Sequence, residues 1–198
     1  MSVLISMFIF ILVGAISPGP VNIIAASTGA RAGYKKAAAY ILGATVSYTL
    51  VVIICGLSLK EVAHILPEIT WLLKIFGGVF LLYMAYKIAS SKGFDSTQGI
   101  DAPLPGFWDG ALVQVLNPKA WLFAMSGVSI FIAGKASAEL YLMFFCTMSF
   151  LVCFSGVSAW GALGSSISGL LSTPERQAAF NYAMGGLLGM AVFYMLLG

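Results

Sequence analysis

The chain has 198 residues, of which 60% are hydrophobic and only 9% are charged, and its mean hydropathy is +0.99. Because soluble domains carry about 25% charged residues, this composition excludes a soluble protein and indicates an integral membrane protein in a lipid bilayer. The formal net charge of +3 comes from scattered basic residues, which excludes a nucleic-acid partner.

Six apolar runs, each near the ~20 residues that a helix needs to cross hydrocarbon, follow one another along the chain. They predict an all-α protein with six transmembrane helices. The first run is broken at Ser17-Pro18-Gly19-Pro20 and the fourth at Asn117-Pro118-Lys119. Prolines interrupt a helix, and irregular backbone at membrane depth survives only where it is buried in protein or lines a cavity. The predicted spans are 3–27, 38–59, 67–89, 107–133, 140–163 and 178–198.

The polar segments between these runs predict the organisation and the orientation. Residues 90–105, rich in Ser, Gly, Asp and Pro, are interpreted as a linker between two halves, about 1–89 and about 106–198, of one transmembrane domain. The single histidine, His64, is predicted to lie in the loop before the third span. Most Lys and Arg residues follow spans one, three and five, so those loops are predicted to be cytoplasmic and both termini periplasmic or extracellular.

The two halves resemble each other with opposite topology. Pro18 and Pro118 interrupt the first span of each half, and the Pro-Glu pairs at Pro67 and Pro174 each precede a Gly-Gly pair in the last span. Three spans in each half would insert the second half upside down. Such inverted repeats with equivalent broken helices are typical of secondary transporters, whose site lies between the repeats. Coincidence is the alternative, since Pro-Glu helix starts and Gly pairs are common in membrane helices.

The two breaks are the predicted substrate site. Ser17 and Asn117 are interpreted as N-caps, each followed by proline at the first helical position. The free N–H groups and the dipole of each half-helix would then attract an anion such as a carboxylate. The predicted substrate-binding residues are Ser17, Pro18, Gly19, Pro20, Asn22, Gln114, Asn117, Pro118 and Lys119.

Lys119 is the most informative of these residues, because a charged side chain within a span costs ~2.5–3.5 kcal/mol on insertion scales. It would pair with a substrate carboxylate or with Asp109, or it would snorkel or hold a carbonyl group at the break. Asn22 and Asn117 have a capping alternative that needs no ligand. Tyr48 and Trp121 are interpreted by default as packed aromatic residues, although both lie deep enough in their spans to line a cavity.

Two motifs resemble the LysE/RhtB family of amino-acid exporters. Residues 17–22 and 29–36 are similar to its N-terminal signature, and residues 106–121 are similar to its fourth-span motif. The resemblance covers essentially the whole chain. It implies efflux of a small zwitterionic amino acid or close derivative across the bacterial inner membrane, driven by protons. The chain looks closest to the branch of homoserine, threonine and cysteine/O-acetylserine exporters, and Asp109 is the nearest candidate for proton coupling.

The composition also bears on functional classes other than an exporter. A membrane enzyme is disfavoured, since one His and seven carboxylates, mostly in loops, cannot form an acid–base or metal cluster, and no cofactor or metal is predicted. A channel or a passive membrane assembly protein remains the alternative. Small residues four apart, as at Gly29 and Gly33 or Gly43 and Ser47, predict close helix packing and allow a homodimer.

Overall fold

The computed structural model of the protein describes residues 3–90 and 103–197, so the linker predicted at 90–105 lies almost entirely outside the described residues. Within these ranges the secondary structure is helical, without a strand, as predicted. The helices are α1 (Val3–Ile16), α2 (Pro20–Ala32), α3 (Tyr34–Leu57), α4 (Leu59–Ala89), α5 (Phe107–Val115), α6 (Pro118–Phe131), α7 (Ala138–Ile167) and α8 (Pro174–Leu197), and a 3-10 turn covers Ser168–Leu171.

Both predicted helix breaks are confirmed. The axes of α1 and α2 are bent by 59° at the first break. At the second break α5 ends at Val115 and α6 begins at Pro118. Each new helix has proline in its first turn, where the missing N–H group would have had no intrahelical partner anyway.

The prediction that His64 lies in a loop is wrong. Helix α4 begins at Leu59, with only Ser58 between it and the end of α3, and it includes His64 and Pro67. The third helix was predicted to begin at Pro67. An internal proline removes one backbone hydrogen bond, and membrane helices tolerate this loss when the freed carbonyl group finds another partner.

Three helical segments of the described residues are long and apolar enough to cross a membrane, namely 34–57, 71–89 and 138–171. The bent pair α1–α2 makes a fourth if it counts as one span. The protein is therefore a multi-pass membrane protein by length and composition, and the finer prediction of six spans stays a prediction.

The helices pack around α3 and α7, which contact each other. Helix α7 also contacts α1 and α2, helix α3 also contacts α5 and α6, and α4 packs on α8. Glycines bring the backbones together at these crossings, because a Cβ atom on Gly29 would collide with the carbonyl group of Gly161, and one on Gly43 with that of Phe107. The predicted packing role of these two glycines is confirmed, whereas Gly33 has a φ of 81° and joins α2 to α3.

The contact between Gly29 and Gly161 gives a stability prediction. Gly29→Ala would force the α2 and α7 backbones apart, and overpacking of this kind costs ~1–3 kcal/mol. We expect a lower melting temperature for the detergent-solubilised variant. Gly189→Ala on α8 is the matched control, since nothing lies within 4 Å of a Cβ atom there. Equal melting temperatures for the two variants would contradict the packing argument.

Candidate functional site

A cavity of about 50 Å³ lies between the two helix breaks. One water molecule needs ~10–15 Å³ by this measure, so the cavity has room for a few waters. Its wall is built from both broken helices and from the middle of α3 and α7. Six of the nine predicted substrate-binding residues line it, namely Ser17, Gly19, Asn22, Gln114, Asn117 and Lys119, whereas Pro18, Pro20 and Pro118 do not.

The second break is held by an asparagine cap, as predicted. Asn117 has an extended backbone and its buried side-chain Oδ1 accepts a hydrogen bond from the Lys119 N–H group at 3.1 Å. Trp121 donates from Nε1 to the Val115 carbonyl at 2.8 Å, which ties the end of α5 to α6. Trp121 does not line this cavity and packs against the hydrophobic core, which agrees with aromatic packing as the default interpretation.

The first break differs, and the prediction of Ser17 as an N-cap is wrong. Gly19 is the N-cap of α2, with φ −173° and ψ 176°, and Pro20 takes the first helical position. A residue before proline avoids the helical region, so Gly19 cannot belong to a helix that starts at Pro18. Ser17 instead belongs to the end of α1, where its N–H group donates to the Val13 carbonyl.

Side chains take up the carbonyl groups that the end of α1 leaves without partners. Asn22 donates from Nδ2 to the carbonyls of Ala15 at 2.9 Å and Ser17 at 3.0 Å. Trp160 of α7 donates to the Ile16 carbonyl at 3.2 Å. Both donors of the Asn22 amide are thus used within the protein, which favours the capping alternative for its Nδ2 atom and leaves only its Oδ1 atom for a ligand.

Lys119 connects the two breaks across 102 residues of sequence. Its Nζ atom lies 2.6 Å from Ser17 Oγ and 3.4 Å from the Ser17 carbonyl oxygen, and 5.7 Å from the centre of the Phe123 ring. The ammonium group therefore sits at the negative end of the α1 dipole. Among the described residues Lys119 makes no ion pair, because Asp109 caps α5 by accepting a hydrogen bond from the Gly106 N–H group at 2.8 Å.

Several polar groups face the cavity without a partner in the described part of the chain. The Gln114 side chain is 7% exposed and makes no hydrogen bond with the described residues. The Tyr48 hydroxyl group makes none with them either. The N–H groups of Val21 and Asn22, in the first turn of α2, likewise find no acceptor among the described residues. Because these groups line an accessible cavity, they are available to ordered water or to a ligand.

The cavity wall also contains residues that sequence reasoning missed. Tyr48 was considered for such a wall, but Phe123 of α6 and both Cys153 and Val157 of α7 were not. An apolar residue in a span gives no sequence signal that separates a cavity-facing side chain from a lipid-facing one. No carboxylate of the described residues lines the cavity, and the charges that these residues bring to it are the Lys119 ammonium group and the dipoles of the helix ends.

Comparison with known proteins adds the following findings. The family profile described as LysE type translocator matches residues 12–198. A cysteine/O-acetylserine efflux protein of Salmonella typhimurium is 28% identical over 156 residues, which is 78% of each chain. A protein of the same name from Escherichia coli K12 is 24% identical over 168 residues, or 85% of each chain. No solved structure matches the chain.

The cap at Asn117 gives a second stability prediction. Replacing an N-cap residue by alanine costs ~0.5–2 kcal/mol, so Asn117→Ala should lower the melting temperature by a few degrees. Asn117→Asp keeps the accepting oxygen and should retain most of the stability. Ser155→Ala on α7, whose hydroxyl group donates only to the Leu151 carbonyl of its own helix, is the control, and a loss as large as that of Asn117→Ala would contradict this assignment.

Proposed function

The chain belongs to the LysE type translocator family, and on this premise we propose that it is a secondary active exporter of an amino acid or a close derivative across the bacterial cytoplasmic membrane. The observation that carries the proposal is the cavity between the two helix breaks, with the Lys119 ammonium group at its wall. The efflux proteins to which the chain is similar support an amino-acid substrate.

The arrangement of donors supports a carboxylate-binding mode. The substrate carboxylate would accept hydrogen bonds from the free N–H groups of Val21 and Asn22 at the positive end of α2. Lys119 would supply the positive charge by releasing its hydrogen bond to Ser17 and donating to the substrate carboxylate instead. The first turn of α6 offers less, because the N–H groups of Lys119 and Ala120 already donate to Asn117.

The remaining polar groups support a neutral rather than a cationic side chain. The substrate ammonium group would donate to Asn22 Oδ1 and the free oxygen of Gln114, both of which are uncharged acceptors. A second positive charge on the substrate would meet Lys119 with no carboxylate to offset it. We therefore propose small zwitterions with a neutral side chain as the substrate class.

The size of the cavity supports alternating access. About 50 Å³ holds a few waters, which is less than an amino acid needs, so the site must widen before it can hold a substrate. A carrier that alternates between two conformations provides such a change at its site, whereas a channel, the alternative class, has no need of one. Substrate-stimulated counterflow separates these two classes, since a channel would show none.

The pattern of helix contacts supports two inverted repeats with six spans. If α1 to α4 correspond to α5 to α8, the α1–α7 contact has its counterpart in α5–α3, and α2–α7 in α6–α3. The α2–α8 and α6–α4 contacts form a third such pair. Repeat one would cover about 1–89 and repeat two about 106–198, with both termini periplasmic. Gly186 and Gly189 on α8, where nothing lies within 4 Å of an added Cβ atom, leave room for a homodimer.

Proton coupling is the last part of the proposal. Asp109 is the carboxylate closest in sequence to the second break, and its Oδ2 atom caps the start of α5. Protonation would remove one acceptor lone pair and the favourable charge at the positive end of this helix. Asp109 would in this way couple the proton gradient to the movement of α5.

Efflux from preloaded cells tests the role of Lys119. A charge-assisted hydrogen bond contributes ~1.5–3 kcal/mol, so Lys119→Met should slow export of labelled neutral amino acids by about tenfold or more. Lys74→Met, which removes a half-buried lysine on α4 away from the cavity, is the matched control. The amount of protein in the membrane fraction is measured for both. Export by Lys119→Met at the wild-type rate would remove Lys119 from the site.

The same assay with a protonophore tests the coupling. Collapse of the proton gradient should stop net export by the wild-type protein, and Asp109→Asn should export at a low rate that the protonophore no longer changes. Asp101→Asn, in the linker, serves as the control carboxylate. Equal protonophore sensitivity of Asp109→Asn and the wild type would exclude Asp109 as the coupling residue.

A further inference from the structure

Four phenylalanine rings form a continuous cluster next to the cavity. The Phe10 ring of α1 lies 5.5 Å from that of Phe123 and 5.7 Å from that of Phe131, both on α6. The Phe131 ring lies 6.2 Å from that of Phe145 on α7. These centroid distances are typical of favourable aromatic pairs. The cluster is well packed, since Phe145 is fully buried and Phe131 is 9% exposed.

The cluster lies on one side of the cavity, towards the N-terminus of α1. Phe123 belongs to the cavity wall, and Phe10 precedes the wall residue Gly14 by four residues, or about 6 Å along the helix. Phe131 and Phe145 are each eight residues, or about 12 Å, from the wall residues Phe123 and Cys153. The rings thus stand between the cavity and that face of the protein.

The opposite side of the cavity is packed by helix backbones and not by aromatic side chains. There the backbones of α2 and α7 touch, with Gly29 against Gly161 and Gly164 against Ala26. Phe123 and Phe131 lie 5 and 13 residues after Pro118, and the same steps from Pro20 reach Ala25 and Gly33. Side chains therefore pack on one side of the cavity, and helix backbones pack against each other on the other side.

Two glycines let the rings on this side pack directly against helix backbones. A Cβ atom on Gly14 would lie 2.8 Å from the Phe123 ring, and one on Gly127 would collide with the Phe145 ring. The rings therefore occupy space that two missing side chains leave free. Displacement of these side chains would open a path without separating packed helix backbones.

Phe123 also contacts Lys119, the residue that binds the substrate carboxylate in the proposed function. The Lys119 Nζ atom lies over its ring, in the range of a cation–π contact. A carboxylate that draws Lys119 away from Ser17 would weaken this contact as well. Substrate binding would thereby release the ring that joins the cavity to the cluster.

We propose that Phe10, Phe123, Phe131 and Phe145 form a side-chain gate on the α1 N-terminal side of the cavity, with Phe123 as the positioning residue that links it to Lys119. The nature of the substrate rests on the proposed function, but the gate itself does not.

Thiol labelling tests the gate without any substrate. The chain has three cysteines, and a Cys55→Ala, Cys146→Ala background leaves only Cys153 in the cavity wall. A charged, membrane-impermeant maleimide is applied to right-side-out and to inverted vesicles, and an N-terminal epitope identifies the face on which α1 begins. From that face, Phe10→Ala should label on the order of tenfold faster than the background protein, because it removes a ring from a packed cluster.

Matched variants keep the result interpretable. Phe8→Ala removes a 45% exposed ring from the same helix and should leave the labelling rate unchanged. Phe131→Leu and Phe123→Leu should accelerate labelling, whereas Phe123→Tyr, which keeps the ring, should not. If a variant does not elute as a folded species in detergent, the other two still decide the outcome. Unchanged labelling in the folded variants, or acceleration only from the opposite face, would overturn the gate.

The outcome is separable from the export assay. Ring-dependent labelling in a protein that exports no amino acid would reject the proposed substrate and keep the gate. Amino-acid export with ring-independent labelling would keep the substrate and reject the gate.

Discussion

The structure depends on one constraint: a helix that ends inside a membrane needs partners for its last carbonyl groups. Water is absent from the hydrocarbon, so these partners must come from the protein. At the end of α1 they come from three other helices, as Asn22 of α2, Trp160 of α7 and Lys119 of α6 all donate to carbonyls there. The same hydrogen bonds that stabilise the break also bring both halves of the chain to one cavity.

The two breaks solve this constraint unequally. The second is locally satisfied, because Asn117 accepts from the first N–H groups of α6. The first has a glycine cap without a side chain, so the N–H groups at the start of α2 remain available. The two breaks therefore do not form two equal half-sites. In this chain the first break offers backbone donors and the second contributes the charge.

Sequence reasoning located the breaks and most of the polar cavity wall, because proline, buried lysine and buried amides are rare in spans and carry their signal locally. It misplaced the start of α2 at Pro18, since the choice between Pro18 and Pro20 depends on the conformation of Gly19. It also missed Phe123, Cys153 and Val157, because cavity-facing and lipid-facing apolar residues look alike in one dimension. Sequence reasoning did not predict that α4 continues through Pro67, because tertiary packing decides whether a proline ends a helix.

The length of α4 has a consequence for how the protein sits in its bilayer. With 31 residues the helix is about 46 Å long, against a hydrocarbon thickness of about 30 Å. Tilting absorbs only part of this difference, so about two turns reach the lipid headgroups or beyond. Since α3 ends at Leu57 and α4 begins at Leu59, this projecting end of α4 lies directly beside the short turn that joins the two helices. Membrane thickness thereby becomes a physical variable that acts on the tilt of α4 and, through α4, on α8.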